Sequence, residues 1–255
     1  MLLVIDIGNT NTVFAVFDGD VLTASYRCVT NADKTADEYA AFFFGLSKTD
    51  IKNGDITSIL VSSVVPETHI HMRQFCKHYL RTDPVFISAN MLDIKVDLDK
   101  PDEIGADRLV NTAAVIEHYQ TPAIVIDFGT ATTFDVIGAG GVYQGGAIAP
   151  GINLSLNALA QAAAKLPKIN FKKPENVIGT STISAMHSGI YWGYVGLIEG
   201  IITRAKKELG NDNCMVIATG GLARVFEDDV TLINLVDSDL TLKGLHAISK
   251  TMKSK

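Results

Sequence analysis

Two aspartates in this 255-residue chain each end a short apolar run and open a glycine-containing turn. A third sits beside an arginine where a helical pattern begins. Asp6 closes the apolar run 2–5 and leads into Ile7-Gly8-Asn9-Thr10-Asn11-Thr12, after which residues 13–17, starting at Val13, read as a return strand. A lone carboxylate at the end of a buried strand is costly unless it is paired or holds a metal. Gly8 opens backbone angles closed to other residues and lets a ligand approach the main chain. Asn9, Thr10, Asn11 and Thr12 add side-chain donors to the N–H groups of the turn. This chemistry suits a phosphate site, and equally a plain hairpin whose Asp and Asn cap the turn.

The second occurrence tips the balance toward phosphate. Residues 123–127 form another apolar run ending in Asp127, followed by Phe128-Gly129-Thr130-Ala131-Thr132-Thr133 and a return strand, 134–137. A third glycine turn, Ala218-Thr219-Gly220-Gly221, follows the apolar run 215–218. The remaining chemistry lies in Gly105-Ala106-Asp107-Arg108. A helix N-terminus favours a carboxylate such as Asp107, which can accept the proton of an attacking hydroxyl. Arg108 can bind a planar carboxylate through two parallel hydrogen bonds. In isolation these four residues would be read as a helix cap beside a surface ion pair. Two phosphate loops in the same chain reverse that preference.

The repeated Asp-x-Gly turn and the Gly-Gly turn resemble the actin-like ATPase and sugar kinase superfamily. Its members carry two phosphate loops, one per domain, and an adenosine loop. Adding Gly105–Arg108 and the segment Thr182-Ile183-Ser184-Ala185-Met186-His187-Ser188-Gly189, the chain closely resembles type III pantothenate kinase almost end to end. The resemblance implies an α/β fold of two similar actin-like ATPase (ribonuclease H-like) domains, each a mixed five-stranded sheet flanked by helices, with a cleft between. Residues 1–104 would form the first domain. Residues 105–255 would form the second, with the adenosine loop and the acceptor site. The implied reaction is ATP-dependent phosphorylation of pantothenate to 4′-phosphopantothenate, with magnesium and a monovalent cation, potassium or ammonium, in a homodimer. The resemblance places ATP phosphates on Asp6, Ile7, Gly8, Asn9, Thr10, Asn11, Thr12 and Val13, with Asp6 near magnesium. Thr130 would also contact ATP, and Asp127 would hold the monovalent cation. Gly105, Ala106, Asp107, Arg108 and Thr182 would contact pantothenate, which offers the hydroxyl and the carboxylate that Asp107 and Arg108 suit. One departure stands out: the family commonly has a substrate-touching tyrosine three residues before the proline of the connecting loop, and here that position is Leu98.

These residues need elements to position them. Residues 21–29 read as a third strand and 35–46 as a helix with a capping box, Thr35 and Glu38. Residues 56–65 form a buried strand halted by Pro66, 67–79 a helix and 85–87 a short strand. Residues 91–104 form a connecting loop and 105–119 a helix. Three strands then recur at 123–127, 131–137 and 142–148. Helices follow at 152–164 and 182–209, and a last one at 242–252 is placed to pack back on the first domain. His69 and His71, two apart on a helix, point to different faces and read as surface residues. Gly189, Gly193, Gly196 and Gly200 line one helix face and invite a close neighbour, either a second copy or the helix at 152–164 of the same chain.

Composition narrows the function further. A net charge of −6 at pH 7 offers nothing to nucleic acid or an anionic membrane surface, and no run is long enough for a membrane span. Cys28, Cys76 and Cys214 lie far apart without CxxC spacing, so the expected setting is a reducing cytoplasm. Three rival readings stand beside the pantothenate kinase. They are another small-molecule kinase of the superfamily, a non-catalytic accessory protein in transcription, and a phosphatase of polyphosphate or guanosine phosphates.

Overall fold

The computed structural model describes residues 1–47, 54–163 and 165–253. Along the chain the elements are β1 (Leu2–Ile7), β2 (Asn11–Asp18), β3 (Val21–Val29), α1 (Ala36–Leu46), β4 (Ser58–Ser63), α2 (His69–Tyr79), β5 (Pro84–Phe86) and α3 (Ala106–His118). There follow β6 (Ala123–Phe128), β7 (Ala131–Ile137), β8 (Tyr143–Pro150), α4 (Ile152–Ala162), α5 (Thr182–Leu209), β9 (Met215–Gly220), α6 (Ala223–Phe226), β10 (Leu235–Val236) and α7 (Leu240–Lys253). Ala164, the expected last residue of the helix after residue 152, lies outside the described residues.

The chain divides into two compact units. The first comprises Met1–Ile94, Asp99–Tyr119 and Asp239–Lys255, the second Lys95–Leu98 and Gln120–Ser238. The first unit is a five-stranded sheet of order β3-β2-β1-β4-β5. β1 runs antiparallel to β2 and parallel to β4. Alternation along β1 gives the sheet two buried faces. Leu3, Ile5 and Ile7 point toward α1 and α2, in a cluster with Phe14, Tyr39, Phe43, Phe75 and Val61. Leu2 and Val4 point the other way, toward Val110 of α3 and Leu242, Leu245 and Ile248 of α7. A strand covered on both faces has no polar side to show, which is why its sequence is a continuous apolar run. Thr35 caps α1 as its spacing predicts: its hydroxyl accepts the Glu38 N–H at 3.3 Å, and Glu38 accepts the Thr35 N–H at 2.8 Å.

The expected boundary between residues 104 and 105 is corrected by this packing. α3 belongs to the first unit, and with it the acceptor segment 105–108. The reason is Gly244 of α7. A Cβ there would lie 2.0 Å from the carbonyl oxygen of Val110, so α7 and α3 meet backbone to backbone. Thr241 then donates to Asn111 at 2.9 Å across the same contact. A second correction concerns His69. It is half-buried, stands 2.9 Å from the Ser63 hydroxyl and packs on Phe86 with ring centres 4.4 Å apart. Burial lowers its pKa.

The second unit repeats the strand order as β10-β9-β6-β7-β8. β6 is antiparallel to β7 and parallel to β9. Ile124, Ile126, Phe128 and Phe134 face α5 and α6, where Tyr191, Ile198, Ile202 and Phe226 complete the core. α5 begins with a capping box of Ser181 and Ser184 and ends at Gly210 in the left-handed conformation (φ 64°). Lys95–Leu98 joins this unit through the edge strand: Tyr143 donates its N–H to Lys95 at 2.9 Å, and Asp97 donates to the Tyr143 carbonyl at 2.8 Å. β10 has only two residues, too few to leave an alternation pattern in the sequence.

Candidate active site

Each unit carries one of the two Asp-x-Gly turns at the same place in its sheet. In the first unit the β1–β2 register pairs Asp6 with Val13 and Ile7 with Thr12, so the turn projects past the end of β1. The Gly8 N–H donates to Asn11 at 3.0 Å. Thr30, which follows β3, braces the turn: its hydroxyl donates to the Gly8 carbonyl at 2.7 Å and lies 2.9 Å from that of Thr12. Thr30 also donates its N–H to Thr10 at 2.9 Å. Asn9 and Thr10 remain exposed at the tip. The bracing role of Thr30 had no sequence signal, because it depends on β3 lying next to β2.

By alternation Asp6 projects from the sheet face that α3 covers, the face of Leu2 and Val4. The structure thus brings the first turn and the acceptor segment into one unit. Gly105 precedes α3 without a side-chain cap. A Cβ on it would lie 2.5 Å from Asp107 Oδ1, so glycine makes room for the carboxylate. That oxygen accepts the Arg108 N–H at 2.9 Å. One oxygen of Asp107 therefore caps its own helix, and a carboxylate has further lone pairs to offer a substrate hydroxyl. Arg108 is half-buried.

In the second unit Asp127 pairs with Thr133 and Phe128 with Thr132. The Gly129 N–H donates to Ala131 at 3.0 Å and the Gly151 N–H to Thr130 at 3.1 Å. The neighbouring strand closes in on the carboxylate. Gly220 has φ 89°, and a Cβ there would lie 2.6 Å from Asp127 Oδ1 and 2.8 Å from the Phe128 carbonyl oxygen. Thr182 is exposed at the first position of α5. The segment before it is pinned by contacts that no motif announced. Lys173 binds Asp229 at 2.5 Å, and the Tyr191 hydroxyl donates to the same carboxylate. Burial, reinforced by Asp229, pushes the Tyr191 hydroxyl up to about 12, and Lys173 holds Asp229 below its ordinary range. The Ser188 hydroxyl reaches back to the Val177 carbonyl. Leu98 lies against Gly145 of the same unit, 3.2 Å from where a Cβ would stand.

The profile of type III pantothenate kinases matches residues 2–204. A type III pantothenate kinase of Paramagnetospirillum magneticum is 50% identical over 98% of this chain and 97% of its own. The chain belongs to the type III pantothenate kinase family. Among solved structures, a Campylobacter jejuni protein described as a conserved candidate Baf family transcriptional activator is similar over 99% of this chain and 100% of its own, with a TM-score of 0.62 and 19% identity. A ROK hexokinase from Thermus thermophilus covers 100% of this chain and 99% of its own at a TM-score of 0.50 and 11% identity. At such identities the likeness is one of fold, and the fold is the expected one: two mixed five-stranded sheets flanked by helices, shared with sugar kinases.

A kinase of this family uses ATP, and the donor set can be tested against magnesium. Asp6 and the Ser62 hydroxyl beside it offer oxygen, the donor this ion takes. No group of three or more His, Cys, Asp or Glu residues that could hold a metal exists among the described residues. Magnesium fits here as an ion carried by phosphates and one or two carboxylates, with its remaining sites on water. Asp127, with the Gly220 main chain close on one side, likewise offers oxygen to a monovalent cation. No helix among the described residues is long and apolar enough to cross a membrane.

Proposed function

We propose that this chain transfers the terminal phosphoryl group of ATP to the primary hydroxyl of pantothenate, giving 4′-phosphopantothenate, the first step toward coenzyme A. The observation that carries the reading is the coexistence of two braced Asp-x-Gly turns with the Gly105–Arg108 segment in a chain half-identical to named pantothenate kinases. Phosphoryl transfer needs mainly positioning and charge neutralisation. Asp6, Ile7, Gly8, Asn9, Thr10, Asn11, Thr12 and Val13 bind the ATP phosphates, with Asp6 on the magnesium side, and Thr130 also contacts ATP. When bound, magnesium neutralises charge gathered on the phosphates. Asp107 takes the proton of the pantothenate hydroxyl, Arg108 holds the pantothenate carboxylate, and Gly105, Ala106 and Thr182 complete that subsite. Asp127 holds potassium or ammonium.

The working form in this reading is a homodimer joined through α5. Support comes from its glycine face. A Cβ at Gly189, Gly193 or Gly196 would meet nothing within 4 Å, so no helix of the same chain fills that face among the described residues. Interior glycines cost about 1 kcal/mol each relative to alanine, a cost that close approach by a second copy offsets. Light scattering should give twice the 27.4 kDa chain mass. Three free thiols, two of them buried, fit the cytoplasm.

The deciding experiment is a coupled ADP-release assay with purified protein, magnesium and potassium. ADP should appear only when pantothenate is added. Pantothenate-independent turnover, or turnover with a sugar and not with pantothenate, would replace this reading with another kinase of the same fold.

A further inference from the structure

The parallel pairing of β1 with β4 sets Ser62 directly beside Asp6. In-register residues of adjacent strands point to the same face, so the hydroxyl and the carboxylate share the face that α3 covers. Ser62 is wholly buried. Its hydroxyl has no hydrogen-bond partner among the described residues. A hydroxyl buried without a partner is destabilising. An interior strand of a sheet covered on both faces calls for apolar residues, and β4 supplies them at Ile59, Leu60 and Val61 before Ser62. A serine in that row, unpaired and next to the carboxylate of the phosphate turn, points to a ligand.

The second sheet repeats the arrangement. The β6–β9 register sets Thr219 beside Asp127, and Thr219 is also buried. At the corresponding point of both central strand pairs, an aspartate stands against a hydroxyl-bearing residue.

We propose that Ser62 is a positioning residue of the magnesium site. Its hydroxyl holds a water of the hydrated ion that Asp6 binds on the other side. The inference rests on the reading of Asp6 as the magnesium-side carboxylate. Magnesium gives up its waters reluctantly and is commonly bound through them. A fixed hydroxyl beside the carboxylate orients such a water without becoming a ligand itself. Partners at this remove typically matter by about 10–100-fold in metal affinity.

The test compares Ser62→Ala, Ser62→Thr and Asp6→Asn with the parent protein by calorimetric titration of ADP, with and without magnesium, alongside thermal unfolding. In Ser62→Ala the gain in ADP affinity caused by magnesium should shrink about tenfold, while ADP affinity without magnesium stays as in the parent. Its melting temperature should hold or rise, because an unpaired hydroxyl has been removed. Ser62→Thr, which keeps the hydroxyl and copies Thr219, should restore the magnesium effect. In kinetics the magnesium concentration for half-maximal rate should rise in Ser62→Ala. An unchanged magnesium effect in Ser62→Ala, with the effect lost in Asp6→Asn, overturns the role of Ser62 and leaves Asp6 standing. An unchanged effect in Asp6→Asn overturns the Asp6 assignment, and the Ser62 proposal with it. A marked fall in melting temperature in Ser62→Ala also overturns the proposal, because it would mean the hydroxyl serves the fold.

Discussion

The two units share a strand order and a turn, yet they treat the same aspartate differently. Beside Asp6 the parallel strand ends in Ser62 and Ser63 and runs on through Val65 to Pro66. On the opposite face of that strand end Ser63 accepts the Val65 N–H at 3.2 Å and meets His69. Beside Asp127 the matching strand ends in Thr219 and Gly220, and the main chain itself comes within reach of the carboxylate. The bracing also differs. Thr12 in the first turn finds the hydroxyl of Thr30, whereas the corresponding Thr132 has a buried hydroxyl with no partner among the described residues. A duplicated loop does not imply a duplicated role. The first lies against the Ser62 side chain and shares its unit with Asp107 and Arg108. The second lies against the main chain of Gly220.

The largest expected effect tests the first unit's share of the chemistry. Asp107→Asn should keep ADP binding and lose about 10²–10⁴-fold in kcat. Its carboxylate already bonds its own helix, so a near-normal kcat would reduce it to a cap and remove the acceptor chemistry from this unit.

The next contrast sets glycine against serine at matching strand ends. Gly220→Ala forces a Cβ into the Asp127 carboxylate at a left-handed φ and should cost about 2–3 kcal/mol on chemical denaturation. Ser63→Ala should cost about 1 kcal/mol, the value of a typical hydrogen bond. Equal losses would mean that the main chain beside Asp127 is no tighter than the matching strand end in the first unit.

A third experiment separates the ions. Potassium added to potassium-free enzyme should raise the rate to a plateau in the parent and in Asp6→Asn, at whatever residual rate that variant has. Asp127→Ala should give a flat response. A potassium response surviving in Asp127→Ala would end the division of labour between the two carboxylates.

The smallest effect compares the two capping boxes. Thr35→Ala and Ser181→Ala should each cost about 1 kcal/mol, but only Ser181→Ala should also raise the KM for pantothenate, since Thr182 follows it. The pH dependence adds a check on the first box. The Thr35 N–H and hydroxyl hold Glu38 below its ordinary value of 4.5. A depressed carboxyl contributes stability above its unfolded pKa and loses it as pH falls through the folded one. The stability gap between parent and Thr35→Ala should therefore be full at pH 7 and narrow as pH falls through the lowered Glu38 value, because the hydroxyl's bond to the Glu38 carboxylate is lost, while its bond from the Glu38 N–H does not titrate. A gap of the same size at pH 7 and at low pH would mean that the Thr35 hydroxyl's bond to the Glu38 carboxylate adds nothing.

The sequence by itself determined the local structure. Apolar runs on β1 and β6 announce strands covered on both faces, and the turns after Asp6 and Asp127 stand where their glycines and threonines suggested. α5 spans Thr182–Leu209 as its pattern predicts, and Thr35 with Glu38 fixes the start of α1. These features are readable because each depends on neighbours a few residues apart. Periodicity says which face of an element is buried, not against what. Only the tertiary structure decided that α3 joins the first unit, through a backbone contact between Val110 and Gly244 that lie 134 residues apart in sequence. It also decided that Thr30 braces the first turn, that Lys173 and Asp229 pin the approach to Thr182, and that Ser62 stands beside Asp6. Each of these depends on which strand or helix becomes a neighbour, and that choice is made by packing the whole chain.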